Sequence, residues 1–231
     1  MPIPKIYLAD LNPSSVYHIY NRTNNKEKLF LSDQDRFFFL KKYEECLNPF
    51  LDTYSWCLLT NHFHLLTRIK PVDTIRTYLE NQNSRELIIS EKKFLQNSLS
   101  FNDLISQSFK RFFQSYSLCF NGIYERKGNL FHRPFKRIEV TDELQLIRTA
   151  IYIHLNPLKH NLVEDFTDYQ WSSWQTLVSN TPTNLLRNEL FEAFGDRNAF
   201  LSAHYQMAGL TTTPWLSTVL PSAAPETGKV F

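Results

Sequence analysis

The chain has 231 residues, of which 42% are hydrophobic and 15% aromatic, with 19 Phe and 11 Tyr, enough to bury a sizeable core and to favour one domain over two. The net charge of +2 says little by itself, but three widely spaced cysteines, Cys46, Cys57 and Cys119, exclude a disulfide framework or a metal finger and fit a reducing compartment. No stretch approaches a membrane span, and residues 1–15 lack the charged-then-apolar pattern of a signal peptide, so a soluble cytoplasmic protein is expected.

Residues 16–20 read as a strand rich in β-branched and aromatic side chains, ended by a polar turn at 21–25. Ser32 with Asp35 three residues on resembles a capping box, and Phe37, Leu40, Tyr43 and Leu47 follow at helical spacing. Residues 54–59 and 62–69 are two more strands, close enough to pair as a hairpin across Thr60-Asn61. Within the second, His62 and His64 share one face about 7 Å apart, while Phe63 points to the other. Two imidazoles on one face are a start for a metal site, although a half-buried strand can carry them by chance.

Pro71 breaks the chain and a helix is expected over 72–88, followed by a polar connector or insertion at 90–108. Residues 109–120 read as a helix with Phe109, Phe112, Phe113 and Tyr116 on one side. From Phe109 to Val140 seven cations, Lys110, Arg111, Arg126, Lys127, Arg133, Lys136 and Arg137, face only Glu125 and Glu139. Such a patch attracts phosphate. A fourth strand covers 135–140. Thr141 or Asp142 then caps a helix over 141–156, with Leu144, Ile147, Ile151 and Leu155 as its core stripe. Gln145, Thr149, Tyr152 and Asn156 fall on the adjacent arc, which places Tyr152 and Asn156 about 6 Å apart, and Pro157 is expected to end the helix at Asn156. Beyond Trp174 the signals weaken: residues 188–205 contain some helix, and 211–231 read as a disordered tail. The element order points to an α+β fold with helices packed on an antiparallel sheet.

Five stretches carry a family resemblance. They are Tyr17-His18-Ile19-Tyr20-Asn21-Arg22, Leu59-Thr60-Asn61-His62-Phe63-His64-Leu65-Leu66, Gly128-Asn129-Leu130-Phe131-His132-Arg133-Pro134-Phe135-Lys136, Tyr152-Ile153-His154-Leu155-Asn156-Pro157-Leu158-Lys159-His160 and Tyr169-Gln170-Trp171-Ser172-Ser173-Trp174. In this order they resemble the single-tyrosine HUH transposases of the insertion-sequence type, most closely the REP-associated tyrosine transposases. The resemblance implies a ferredoxin-like catalytic domain over 1–178 and a C-terminal extension over 179–231. It implies His62, His64 and Asn156 as ligands of Mg²⁺ or Mn²⁺, and Tyr152 as a nucleophile that leaves a 5′-phosphotyrosine and a free 3′-hydroxyl. His18, Asn21 and Arg22 are candidates for supporting roles. The implied partner is single-stranded or hairpin DNA, bound by a monomer or a homodimer. Thr23 where glycine is common, Thr60 in the usual proline place and the long 90–108 segment depart from the pattern and bear on loop geometry and DNA specificity.

The chemistry agrees with those roles. A free tyrosine is only about 0.1% phenolate at pH 7, so attack on a phosphodiester needs a cation to polarise the phosphate. Imidazoles alone favour zinc-like ions, whereas the resemblance points to magnesium or manganese. The cations interleave with Phe112, Phe113, Tyr116, Tyr124, Phe131 and Phe135, which can stack unpaired bases, although Phe112 and Phe135 are expected in the core. Two other functions compete with strand transfer: a catalytically silent module that binds hairpin DNA or RNA, and a metal-dependent hydrolase of smaller phosphodiesters.

Overall fold

Residues 4–209 are described by the structure, a computed structural model; the tail expected at 211–231 lies outside them. Strands β1 (Val16–Arg22), β2 (Leu51–Leu58), β3 (His62–Ile69) and β4 (Lys136–Val140) form one antiparallel sheet in the order β2-β3-β1-β4. β2 and β3 are the expected hairpin, since their short connection allows no crossover. Helix α1 (Asp33–Leu47) joins β1 to β2, and α2 (Val72–Glu80), α3 (Ile89–Leu95) and α4 (Phe101–Ile123) join β3 to β4. With α1 and α4 as the two crossovers, the chain traces the βαββαβ path of a ferredoxin-like core. After β4 come α5 (Glu143–Lys159), the short α6 (Trp174–Val178), α7 (Arg187–Phe194) and α8 (Arg197–Met207).

Strand alternation divides the sheet into two faces. Phe63 of β3 points toward α1 and α4, where it meets Phe39 and Phe113 with ring centroids 4.9 and 6.1 Å away. Phe39 also sits edge-on to Phe112 and Tyr116, an arrangement that adds about 0.5–1.5 kcal/mol per pair beyond the area buried. The other face carries His18, Tyr20, His62 and His64, and α5 packs across β2 and β3 there. Helices α7 and α8 pack on α5 in turn, so that helix is buried on two sides.

α1 has the capping box read from Ser32 and Asp35, and Asp142 caps α5 by accepting the Gln145 N–H at 2.8 Å. Several expectations need correction. The helix over 72–88 ends at Glu80, where Asn81, Gln82 and Asn83 offer the backbone polar alternatives. Residues 90–108 are no connector, because α3 and the first two turns of α4 occupy them and Ser100 caps α4 by accepting the Asp103 N–H at 3.1 Å. Leu144 is 53% exposed and not core, because the first turn of α5 overhangs, while Ala150, Ile151, Ile153 and Leu155 are buried. Finally, α5 runs through Pro157 to Lys159: the proline denies an N–H only to the Ile153 carbonyl, close to the helix end where one missing bond costs little.

Candidate active site

The site grows from the pairing of β1 with β3. In register, Tyr20 lies opposite His64 and Arg22 opposite His62, so the ends of both strands bring their polar residues to one corner of the α5 face. His18 and His64 sit diagonally, with His18 Nε2 2.9 Å from His64 Nδ1. His62 donates from Nδ1 to Asn61 Oδ1 at 2.7 Å. The Tyr152 ring comes down from α5 onto this group, 5.4 Å from the His64 ring and 5.8 Å from the His18 ring, both edge-on. Tyr152 stays 38% exposed although its ring meets both histidines.

Burial sets the charge state. It lowers His18 to about 4, and it lowers His62 to about 4 with help from the nearby His160 and Arg22 charges. His64 falls well below the usual imidazole range, first through burial and then through His18, His62 and the other cations around it. The imidazoles are therefore neutral at pH 7, as metal ligation requires. His62 donates through Nδ1 and so keeps Nε2 as a lone-pair donor, the arrangement in which an outer hydrogen bond orients a ligating histidine, and His64 does the same in the tautomer whose Nδ1 donates to His18.

Asn156 is buried one turn from Tyr152, and its Nδ2 donates to the Tyr152 carbonyl at 2.9 Å, which leaves Oδ1 as its donor atom for a cation. Among the described residues no three His, Cys, Asp or Glu side chains stand together as a metal cage. A cation here would have the two imidazoles of His62 and His64 and open positions for water or phosphate, a donor set that suits a divalent ion. Cys57, opposite His64 in register, is fully buried and its thiol is pushed up by that burial, so it stays protonated.

Of the supporting candidates, His18 holds His64, and Arg22 carries its charge beside His62. Asn21 faces the opposite side of the sheet, where it donates to the His132 carbonyl at 3.2 Å and braces the 128–135 loop. Three residues around the histidine corner escaped the sequence reading. Tyr20 stacks near His18 and His64, with centroids 4.9 and 5.4 Å away, and is raised to about 12 by burial and by the nearby tyrosines. The Lys159 ammonium lies 4.3 Å from the Tyr152 ring centre. The His160 ring lies 4.8 Å from that of His62. The 152-156-160 spacing, one turn per step, was the signal available for His160.

The basic residues separate into groups. Arg111 pairs with Glu91 at 3.3 Å, Arg126 pairs with Glu27, and Arg137, half-buried and lowered by that burial, donates to the Ala9 carbonyl. Lys136 lies over the Tyr7 and Tyr20 rings at 4.9 and 5.6 Å. Lys110, Lys127 and Arg133 are exposed. Phe112 is core as expected, and Tyr116 and Phe131 are also buried and unavailable for stacking; Phe135, expected in the core, is only partly covered because it lines the cavity beside α4, as Phe113 does, and Tyr124 is partly covered too.

Fold and site together define an α+β protein whose antiparallel sheet presents buried neutral histidines to a tyrosine on a crossing helix. In sequence the chain is similar to a Haemophilus influenzae protein provisionally named a REP-associated tyrosine transposase, with 24% identity over 172 residues, which is 73% of this chain and 84% of that protein. This is the family that the five motifs resemble. No protein-family model matches the chain. A solved structure described as a REP-associated tyrosine transposase bound to a REP hairpin superposes with a TM-score of 0.49 at 14% identity, over 74% of this chain and 85% of that one.

Proposed function

We propose that the protein is a metal-dependent, tyrosine-dependent DNA nicking and strand-transfer enzyme of the transposase kind, acting on single-stranded DNA beside a hairpin. The observation that carries this reading is the half-exposed Tyr152 ring set against the neutral His18–His64 pair, on the face that also bears His62. The sequence likeness to the Haemophilus influenzae protein supports the transposase class.

In this reading His62, His64 and Asn156 would hold Mg²⁺ or Mn²⁺. The cation would polarise the scissile phosphate and stabilise charge on the departing oxygen. Tyr152 Oη attacks phosphorus, the phenol gives up its proton, and the P–O3′ bond breaks to leave a 3′-hydroxyl. The phosphotyrosine keeps the energy of the broken bond, so a second 3′-hydroxyl can reverse the step elsewhere. His18 keeps His64 aimed, and α5 places the phenol by its packing on β2 and β3. Lys110, Lys127, Arg133 and Lys136 line the approach of the phosphate backbone, and Arg111, Arg126 and Arg137 shape it. No helix among the described residues is long and apolar enough to cross a membrane, and a cytoplasmic place goes with a DNA substrate.

The test is incubation with labelled single-stranded hairpin DNA and Mn²⁺. A denaturant-resistant protein–DNA adduct is expected from the wild type and none from Tyr152→Phe. Binding without an adduct in the wild type would instead assign a silent hairpin-binding module.

A further inference from the structure

On the face of the sheet opposite Tyr152, α4 and the 128–135 loop enclose a cavity of about 810 Å³, within the ~300–1,000 Å³ range of small-ligand sites. Its inner wall is aromatic: Phe113 and Phe135 are only partly covered, with ring centroids 5.4 Å apart. Leu118, 76% exposed, forms an apolar rim. Lys110 and Arg133 stand at the mouth, and no acidic side chain lines the cavity. Neither cation has an ion-pair or hydrogen-bond partner among the described residues, in contrast to Arg111 and Arg126 nearby. The Gln114 side chain is likewise unengaged, so both its donor and its acceptor are free. A flat apolar wall, one free amide and two unpaired cations call for a planar ligand with a polar edge and a negative charge.

The position of the cavity narrows the choice. The loop is held to the end of β1, where His132 N–H donates to the Arg22 carbonyl at 3.0 Å and Asn21 reaches back to the His132 carbonyl. Arg22 is the residue opposite His62. The cavity and the histidine corner therefore lie on the two sides of one strand end. A chain that carries phosphate past the corner can turn a base into the cavity.

We propose that this cavity takes one unpaired nucleotide of the DNA strand, with its base against Phe113 and Phe135, its edge read by Gln114 and its phosphate held by Lys110 and Arg133. The choice of DNA rests on the function proposed above. The pocket grips a nucleotide beside the one being cut and so fixes which phosphate meets Tyr152.

The probe is a fluorescein-labelled DNA hairpin of mixed sequence with a short single-stranded flank, in which one abasic position is moved along the flank. Wild type is expected to show one position whose loss of base weakens binding about fivefold to a hundredfold, the range for a stacked base. Leu118→Glu, which puts a carboxylate on the apolar rim, and Gln114→Ala are both surface changes with unaltered circular dichroism, and both flatten that position. No binding, no position effect in wild type, or an effect that persists in Leu118→Glu would overturn the pocket. The same scan on RNA that binds more tightly than DNA and flattens in Leu118→Glu would overturn the choice of DNA. Adduct formation is scored separately: an adduct without a base-sensitive position sinks the pocket alone, and a base-sensitive position without an adduct sinks the nicking function alone.

Discussion

Replacing His18 tests whether the histidine corner is built to hold a cation. His64 is 4% exposed and its Nδ1 has His18 Nε2 as partner at 2.9 Å. If Nδ1 donates, Nε2 of His64 is the lone pair left for metal, and His18 is a positioning residue that acts through His64. In His18→Ala the His64 Nδ1–H is buried without a partner, at a cost of about 1–3 kcal/mol. The ring is then free to turn, and loss of such an outer partner lowers metal affinity by about 10–100-fold. His18→Gln can return an acceptor oxygen to the same place and should recover most of the loss. The assay is Mn²⁺ titration by calorimetry on the full chain, with thermal unfolding run beside it. Wild-type affinity in His18→Ala, or equal losses in His18→Ala and His18→Gln, would refute the assignment of His18 as the residue that aims His64.

Four further outcomes can be measured. Lys159→Met removes the ammonium over the Tyr152 ring; about 0.5–1 kcal/mol of such contact corresponds to a two- to fivefold slower adduct formation with unchanged melting temperature, and an unchanged rate would dismiss the contact. Phe39→Ala opens the aromatic cluster with Phe63, Phe112 and Tyr116 and should lower the unfolding free energy by about 3–5 kcal/mol in urea titration; a loss under ~1 kcal/mol would mean that the cluster is not the core. The buried chain Ser173–His154–His204–Phe200 predicts acid sensitivity. Because His204 Nδ1 donates to the Phe200 carbonyl at 2.8 Å, its Nε2 must accept from His154 Nδ1, and His154 Nε2 from the Ser173 hydroxyl, each at 2.9 Å. Burial lowers His204 to about 4, below its unfolded value of 6.5, so its contribution is complete above about pH 6.5 and is lost as pH falls toward 4, by up to about 3 kcal/mol. Equal urea midpoints at pH 7 and pH 4.5 would contradict that assignment. Finally, Arg133→Ala should weaken hairpin binding and flatten its salt dependence by about one phosphate contact, whereas Arg126→Ala, whose charge is spent on Glu27, should destabilise the 126–129 turn and leave the salt slope alone.

The strands and α1 were legible because their side chains obey one local rule each: alternation in 16–20 and 62–69, and a capping box at Ser32. The hairpin followed from the two residues between strands. The segment 72–108 was misread because its helices are short and polar, and the signal that starts α4, Ser100 with Asp103, lies inside a run that looks like loop. The stripe on α5 was placed one turn too early, since the sequence shows which residues share an arc but not where the helix overhangs the sheet. Two faces of α5 are buried, one by β2 and β3 and one by α7 and α8, and a single-sided stripe could not anticipate the second. His154 is the result, an imidazole at 0% exposure whose partner is 50 residues away.

The site residues divide along the same lines. That His62 and His64 share a face was readable from spacing two, and that Tyr152 and Asn156 stand one turn apart from spacing four, because each pair sits within one element. What the sequence could not supply was the offset between elements. The register that sets Tyr20 opposite His64 and Arg22 opposite His62 decides that His18 falls diagonally beside His64 and within hydrogen-bond reach. A slip of one residue would turn His18, Tyr20 and Arg22 to the α4 side and bring Tyr17, Ile19 and Asn21 to the histidine corner. The register is held by the fully buried Tyr17 and Ile19, which belong to the core on the α4 side. Core packing on one face of β1 is therefore what places the chemistry on the other. Asn21 and Arg22 show the division at its sharpest: consecutive residues, one bracing the 128–135 loop and one charged beside His62. A change in the β1 register would therefore displace the residues beside His62 and the brace of the 128–135 loop together.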